Sequence, residues 1–179
     1  GGDTRNSIYW DPFPLYITDG TGPTLTDADG NKRTDFVNNM TTLILGHRPA
    51  EVSQAVAEQL DHGMSFPAPS PSVVRWADLL CERVPSLDKV RFVNTGTEAT
   101  LNAIRAARAF SGKQKLLKSE GAYHGNHDAI QISVVPPLDK AGDADSPEAV
   151  KAFPGISETS TDDIYIAPFN DIVAAEKII

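Results

Sequence analysis

Asn94-Thr95-Gly96-Thr97-Glu98-Ala99 is the run of this chain best suited to chemistry. An apolar segment, Lys89 to Val93, enters a short turn that opens directly into a helical pattern. The first N–H groups of a helix lack internal partners and carry the positive end of its dipole, so an anion is favoured there. Gly96 lets the backbone approach a ligand closely, and Thr95 and Thr97 bring hydroxyl donors. Together these features make a phosphate seat. Thr95 suits equally well the plain structural role of a helix N-cap. No lysine follows the glycine as in a P-loop, and no further spaced glycines make a dinucleotide fingerprint. A phosphate held here belongs to something smaller.

A second cluster, Gly121-Ala122-Tyr123-His124-Gly125-Asn126-His127, follows an apolar segment at Lys115 to Lys118. In open α/β sheets, ligands sit beyond the carboxyl ends of the strands, which places Tyr123 on the same edge as the phosphate seat. Its ring can stack on a flat ligand. His124 and His127 invite a metal reading, but i, i+3 histidines with no carboxylate as third ligand argue for none. His47, just before Pro49, reads as structural.

The elements that must position these groups are legible from spacing. Leu15 to Val37 reads as a small β-meander with turn signals at Asp19-Gly20 and at Asp27-Ala28-Asp29-Gly30-Asn31. Glu51 to Asp61 reads as an amphipathic helix entered through Pro49, with Val52, Ala55, Val56 and Leu60 on one face. Val73 to Val84 reads as a second helix, with Val73, Trp76, Ala77, Leu80 and Val84 on one side, ended by Pro85. Cys81 within it is a small core residue; as the single cysteine it can form neither an intramolecular disulfide nor a multi-cysteine zinc site.

Strand and helix then alternate. Lys89 to Val93 is expected as a strand, Thr97 to Ser111 as a helix with Leu101, Ile104 and Phe110 inward and Gly112 as its stop, and Lys115 to Lys118 as a strand. Ala129 to Val135 has strand-like alternation. Residues 136–163, rich in Pro, Gly, Asp, Ser and Thr, are expected to be a mobile functional loop. Ile164 to Pro168 is a further core strand, and Asn170-Asp171 caps a last helix, Ile172 to Ile179. Strands separated by helices imply an α/β architecture with a mostly parallel sheet.

Composition supports this reading. The 179 residues are 40% hydrophobic and 22% charged, enough for a sizeable core. A net charge of −8 argues against a nucleic-acid or membrane-surface partner, which would need clustered Lys and Arg. No apolar stretch approaches the ~20 residues that span a bilayer. A lone cysteine and no signal-peptide pattern are compatible with a cytoplasmic location. The chain starts Gly1-Gly2-Asp3 without Met and stops within a helical pattern, so a partial sequence is expected.

The run from Asn94 to Ala99, then Ala106-Ala107-Arg108-Ala109-Phe110-Ser111-Gly112, then Tyr123-His124-Gly125, resembles the class III aminotransferases. Asp27 to Asn31, Asp35-Phe36 and Leu45-Gly46-His47 fit the same pattern, in order and at family spacing over nearly the whole chain. Glutamate-1-semialdehyde 2,1-aminomutases and β-amino-acid aminotransferases are the members most similar. The resemblance implies the N-terminal part of the pyridoxal-phosphate (PLP) transferase fold type I, a homodimer when intact. It implies residues 1–48 as a segment of the small domain with the β-meander, and 49–179 as an incomplete cofactor-binding large domain.

By the same resemblance, Thr95, Gly96 and Thr97 hold the cofactor phosphate, Tyr123 stacks on its ring, and His124 belongs to the same cofactor site. Arg5 lies where β-amino-acid aminotransferases place an arginine for the carboxylate of an amino-acid substrate, a task that suits a guanidinium; a solvated surface charge is the competing reading. Met40 stands where relatives often carry Trp or Tyr near the substrate. The loop at 136–163 resembles the segment that covers the aminomutase site. The family's Schiff-base lysine lies later than residue 179, so no catalytic residue is expected in this chain. Lys118, the nearest substitute, is expected to be an ordinary surface lysine. The activities implied are transamination of a carboxylate-bearing amine or the 2,1-aminomutase reaction; a non-catalytic truncated product is the third reading. Family strand order further implies that Lys89 to Val93 does not pair with Lys115 to Lys118, so that unpaired edges leave the isolated chain poorly stable.

Overall fold

The computed structural model describes residues 11–179. Contacts group them into two compact units, one reaching up to Asp78 and the other spanning Leu79–Ile179.

The first unit opens with an antiparallel meander of β1 (Ile17–Thr21), β2 (Thr24–Asp27) and β3 (Lys32–Thr34). Asp19-Gly20 is not its first turn. Both residues pair within β1, and the chain reverses at Gly22-Pro23, where Thr21 faces Thr24. Gly22 takes the positive φ that a turn there needs (52°). The second turn is where the sequence places it. Asp27, 2% exposed, accepts from the N–H groups of Asp29 and Asn31 and from the Arg33 guanidinium at 2.9 Å. After a single turn at Asn38–Thr41 (α1), whose four residues all have positive φ, come α2 (Ala50–Leu60) and α3 (Pro71–Arg83). Their apolar stripes exist as expected, but neither helix has a buried residue. Val52, Val56, Leu60, Val73 and Trp76 all stay substantially exposed, and Cys81 is half-buried.

In the second unit, α4 (Gly96–Ser111) is followed by β4 (Leu116–Ser119), β5 (Gly142–Asp143), β6 (Ser146–Pro147), β7 (Ile164–Ala167) and α5 (Ile172–Ile178). Lys89 to Val93 is not a strand: among the described residues it enters no sheet. β4 instead pairs in parallel with β7, Leu116 facing Ile164 and Lys118 facing Ile166. Ala129 to Val135 is not a strand either. One bridge, Ile132 to Lys151, replaces the ladder, and Ile130 to Ser133 are buried in succession rather than alternately. Phe110 faces out, 96% exposed, whereas Leu101 and Ile104 are half-buried.

The core of this unit is Ile132, Ile156, Ile164 and Ile166, backed by Leu116, Ala149 and Ala152. Each isoleucine buried there contributes about 1.5–3 kcal/mol. The segment 136–163 supplies part of that core. It carries the β5–β6 hairpin, a short 3-10 helix at Glu158–Thr161 and the buried Ile156. Ser133 ties it down by donating to the Glu148 carbonyl at 2.8 Å and accepting from the Val150 N–H at 2.9 Å. α5 begins as expected, with Asp171 accepting from the Ala174 N–H at 3.0 Å. Among the described residues, no helix is long and apolar enough to cross a membrane.

Candidate functional site

The start of α4 is built by its own side chains. Thr95, in extended backbone, accepts from the Glu98 N–H at 3.1 Å, the N-cap role open from sequence. Its hydroxyl proton is committed to the Glu98 carboxylate at 3.1 Å, and the same carboxylate oxygen accepts from the Asn94 N–H at 2.9 Å. This is a variant of the capping box. The amides of Gly96 and Thr97, at the head of the helix, precede the first intrahelical bond, which Ala99 makes to the Thr95 carbonyl at 3.1 Å. Around Gly96 there is open space: a side-chain carbon added there meets nothing within 4 Å.

The loop after β4 docks onto this helix start. The Asn126 N–H donates to the Thr97 hydroxyl at 3.0 Å, so the Thr97 hydroxyl proton stays available. The Thr100 hydroxyl donates to the His124 carbonyl at 2.7 Å and lies 3.3 Å from His127 Nε2. The same hydroxyl lies 3.1 Å from the carbonyls of Gly96 and Thr97. Burial holds His127 below its ordinary value of 6.5, with Arg105 adding to the effect against Asp128. Gly125 passes so close to the helix that a side-chain carbon would lie 2.8 Å from Thr97 Cα, and its φ is +115°. Gln131 closes the loop from behind, donating to the Gly125 carbonyl at 2.9 Å.

Among the sequence-predicted residues, Thr95, Gly96 and Thr97 lie at the helix start, and the His124 carbonyl meets Thr100 one turn further along the same helix. Tyr123 is 63% exposed, with its ring free for a ligand. His124 also borders a cavity of about 370 Å³ lined by Thr100, Ile104, Leu116, Lys118 and Ile130. Met40 belongs to the first unit, in the positive-φ turn, and Arg5 lies outside the described residues. No group of three metal-ligating side chains occurs among the described residues. Sequence reasoning missed Thr100 and Gln131, which anchor the loop. Thr100, one turn beyond Gly96 on the same helix face, could have been found from spacing; Gln131 had no such signal.

Lys118 corrects the expectation most clearly. It is 8% exposed rather than a surface residue. Its ammonium donates to the carbonyls of Ile132 at 2.6 Å and Ser119 at 3.2 Å. The alternation of β4 turns Lys118 to the same face as Leu116, into the core.

The residues present fit a phosphorylated, flat-ringed cofactor. Two helix-start amides, a free threonine proton and open space over Gly96 suit a phosphate, and the exposed Tyr123 ring suits the ring.

The family model for aminotransferase class III matches residues 8–171. The chain is 40% identical over 164 residues to glutamate-1-semialdehyde 2,1-aminomutase of Aquifex aeolicus, an alignment covering 92% of this chain and 37% of that protein. It superposes on an omega-transaminase from Sphaerobacter thermophilus with a TM-score of 0.92 at 42% identity, over 99% of this chain and 40% of that one. A transaminase solved with PLP bound gives a TM-score of 0.83 at 38% identity, over 94% of this chain and 38% of that one. The chain thus spans well under half the length of the relatives it matches, and over that span it has their α/β fold, PLP fold type I. It belongs to the class III aminotransferases.

Proposed function

We propose that this chain carries the phosphate- and ring-binding part of a PLP-dependent transaminase, one that moves an amino group between a carboxylate-bearing amine and a carbonyl acceptor. The observation that carries the reading is the docking of the Tyr123-His124-Gly125 loop onto the open start of α4. When bound, PLP supplies the electron sink for transamination. The chain's own residues bind and orient. The Gly96 and Thr97 amides and the Thr97 hydroxyl hold the phosphate, Tyr123 covers the ring, and His124 borders the same site. In this reading Arg5 pairs with the substrate carboxylate, Met40 lies near the substrate, and the intact protein is a cytoplasmic homodimer. No lysine here anchors the cofactor: Lys118 is buried, with its ammonium committed to two carbonyls.

The identity to the aminomutase of Aquifex aeolicus favours a second reading, the 2,1-aminomutase reaction. Assays of the intact enzyme with and without an external amino acceptor separate the two. For the chain itself, the test is a titration with PLP followed by absorbance. The proposal expects saturable binding with no borohydride-fixed lysine. A band that borohydride fixes to one lysine, Lys118 included, overturns the division of labour proposed here.

A further inference from the structure

The segment that carries Tyr123 and His124 leaves β4 at Ser119 and returns to the core at Ile132. Both points are held by one side chain. Lys118 reaches the Ser119 carbonyl beside it and the Ile132 carbonyl across the loop's mouth. Ile132 is completely buried, and among the described residues its carbonyl has no other hydrogen-bond partner. One further bond, from the Gly121 N–H to the Ser133 carbonyl at 2.9 Å, lies next to this clasp.

A lysine is a costly choice for such a place. No carboxylate pairs with it among the described residues, and burial lowers its pKa against a weaker opposing effect of Glu120. Leucine or methionine would fill the volume without desolvating a charge. What neither could do is satisfy the Ile132 carbonyl from the β4 side. The ammonium makes charge-assisted bonds, stronger than neutral ones, so it fixes the loop's base more firmly than packing alone.

We propose that Lys118 is a positioning residue for the cofactor loop, its ammonium clasping the two ends of the 119–132 segment so that Tyr123 and His124 are held against the start of α4. The inference rests on the function proposed above for that loop. Lys118 does not touch the cofactor in this scheme; it acts through the loop, as outer partners act on first ligands.

The test uses the full-length apo-protein and pyridoxine 5′-phosphate, which has the ring and the phosphate but no aldehyde. Lys118→Met keeps the volume and removes the donor; Lys118→Arg keeps a charged donor. Three quantities are read in each: hydrogen exchange in peptides covering 120–132, affinity for the probe, and the urea midpoint. The expected result for Lys118→Met is faster exchange in that segment and affinity weakened about tenfold in the folded protein, with Lys118→Arg recovering most of both. If Lys118→Met lowers only the midpoint, leaving segment exchange and affinity at wild-type values, Lys118 is merely structural and the proposal fails. Should Lys118→Met not fold, acylation of the wild-type lysines decides: Lys118 should react far more slowly than the exposed lysines, and reaction at their rate refutes the clasp. If wild-type protein binds no probe, the cofactor reading fails, while exchange and acylation still report on the clasp itself.

Discussion

Two places in this chain bring glycines and a histidine to a turn, and they differ in what fills them. In the first unit, the His47 ring packs against Gly20, where a side-chain carbon would lie 2.8 Å from it, and Gly46 passes as close to the Gly22 carbonyl. His47 Nε2 meets the Asp35 carboxylate at 2.7 Å, which also accepts from the Val37 and Asn38 N–H groups. Gly20 and Gly46 are thus backed by the chain itself, beside a cavity of about 480 Å³ lined by Gly22, Asp35, Gly46 and His47. In the second unit, Gly125 is just as tightly pressed on Thr97, but Gly96 faces open space. A glycine whose missing side chain is replaced by protein serves the fold; a glycine left open at a helix start leaves room for a ligand.

Substitutions can break that comparison. The largest effect is expected for Gly125→Ala. Both its positive φ and the 2.8 Å approach to backbone resist a side chain. We expect a loss of about 3 kcal/mol in the second unit and no measurable pyridoxine 5′-phosphate binding, checked by denaturation and titration. Gly46→Ala should cost about 2 kcal/mol in the first unit for the same reason, yet leave that binding intact. Gly96→Ala should reverse the pattern. Stability should stay within about 1 kcal/mol of wild type, because the added carbon meets nothing, while phosphate affinity falls about tenfold. A Gly96→Ala protein that binds normally would remove the distinction between the two cradles.

The smallest expected effect is on the acid side. The Asn38 N–H, then His47, hold the Asp35 carboxyl below its ordinary 3.8. A carboxyl depressed in the folded state stabilises fully above its unfolded value and loses that contribution as pH falls through the lower folded one. Urea midpoints followed downward from pH 5 should therefore decline, and Asp35→Asn should flatten the decline. An unchanged slope in Asp35→Asn would show that this turn does not depend on the Asp35 carboxylate.

The site was more legible in the sequence than the sheet that supports it. The helix start at Thr95 to Thr97 is legible because a cap is a local feature, and the His124 carbonyl docks one turn along that helix. Lys89 to Val93 reads as a strand by composition, yet among the described residues it joins no sheet, and pairing is not local. Ala129 to Val135 alternates as a strand does, yet folds as a buried crossing stitched by Ser133 and one bridge. Lys118 carries a charge, which normally marks a surface, so its burial is not legible from its type. The apolar faces of α2 and α3 and the outward Phe110 were legible as stripes, but not that they stay uncovered. With so much exposed apolar surface, the isolated 179-residue chain is expected to unfold without a sharp cooperative transition. A clean two-state melt would contradict that.

The central claim is that the start of α4 binds the phosphate of the cofactor. Amide chemical shifts test it most directly, with 15N-labelled apo-protein titrated by pyridoxine 5′-phosphate and, separately, by pyridoxine. The account expects large saturable shifts at Gly96 and Thr97 with the phosphate ester and none there with the free alcohol. Equal responses to both compounds, or a phosphate response centred away from these two amides, would contradict it.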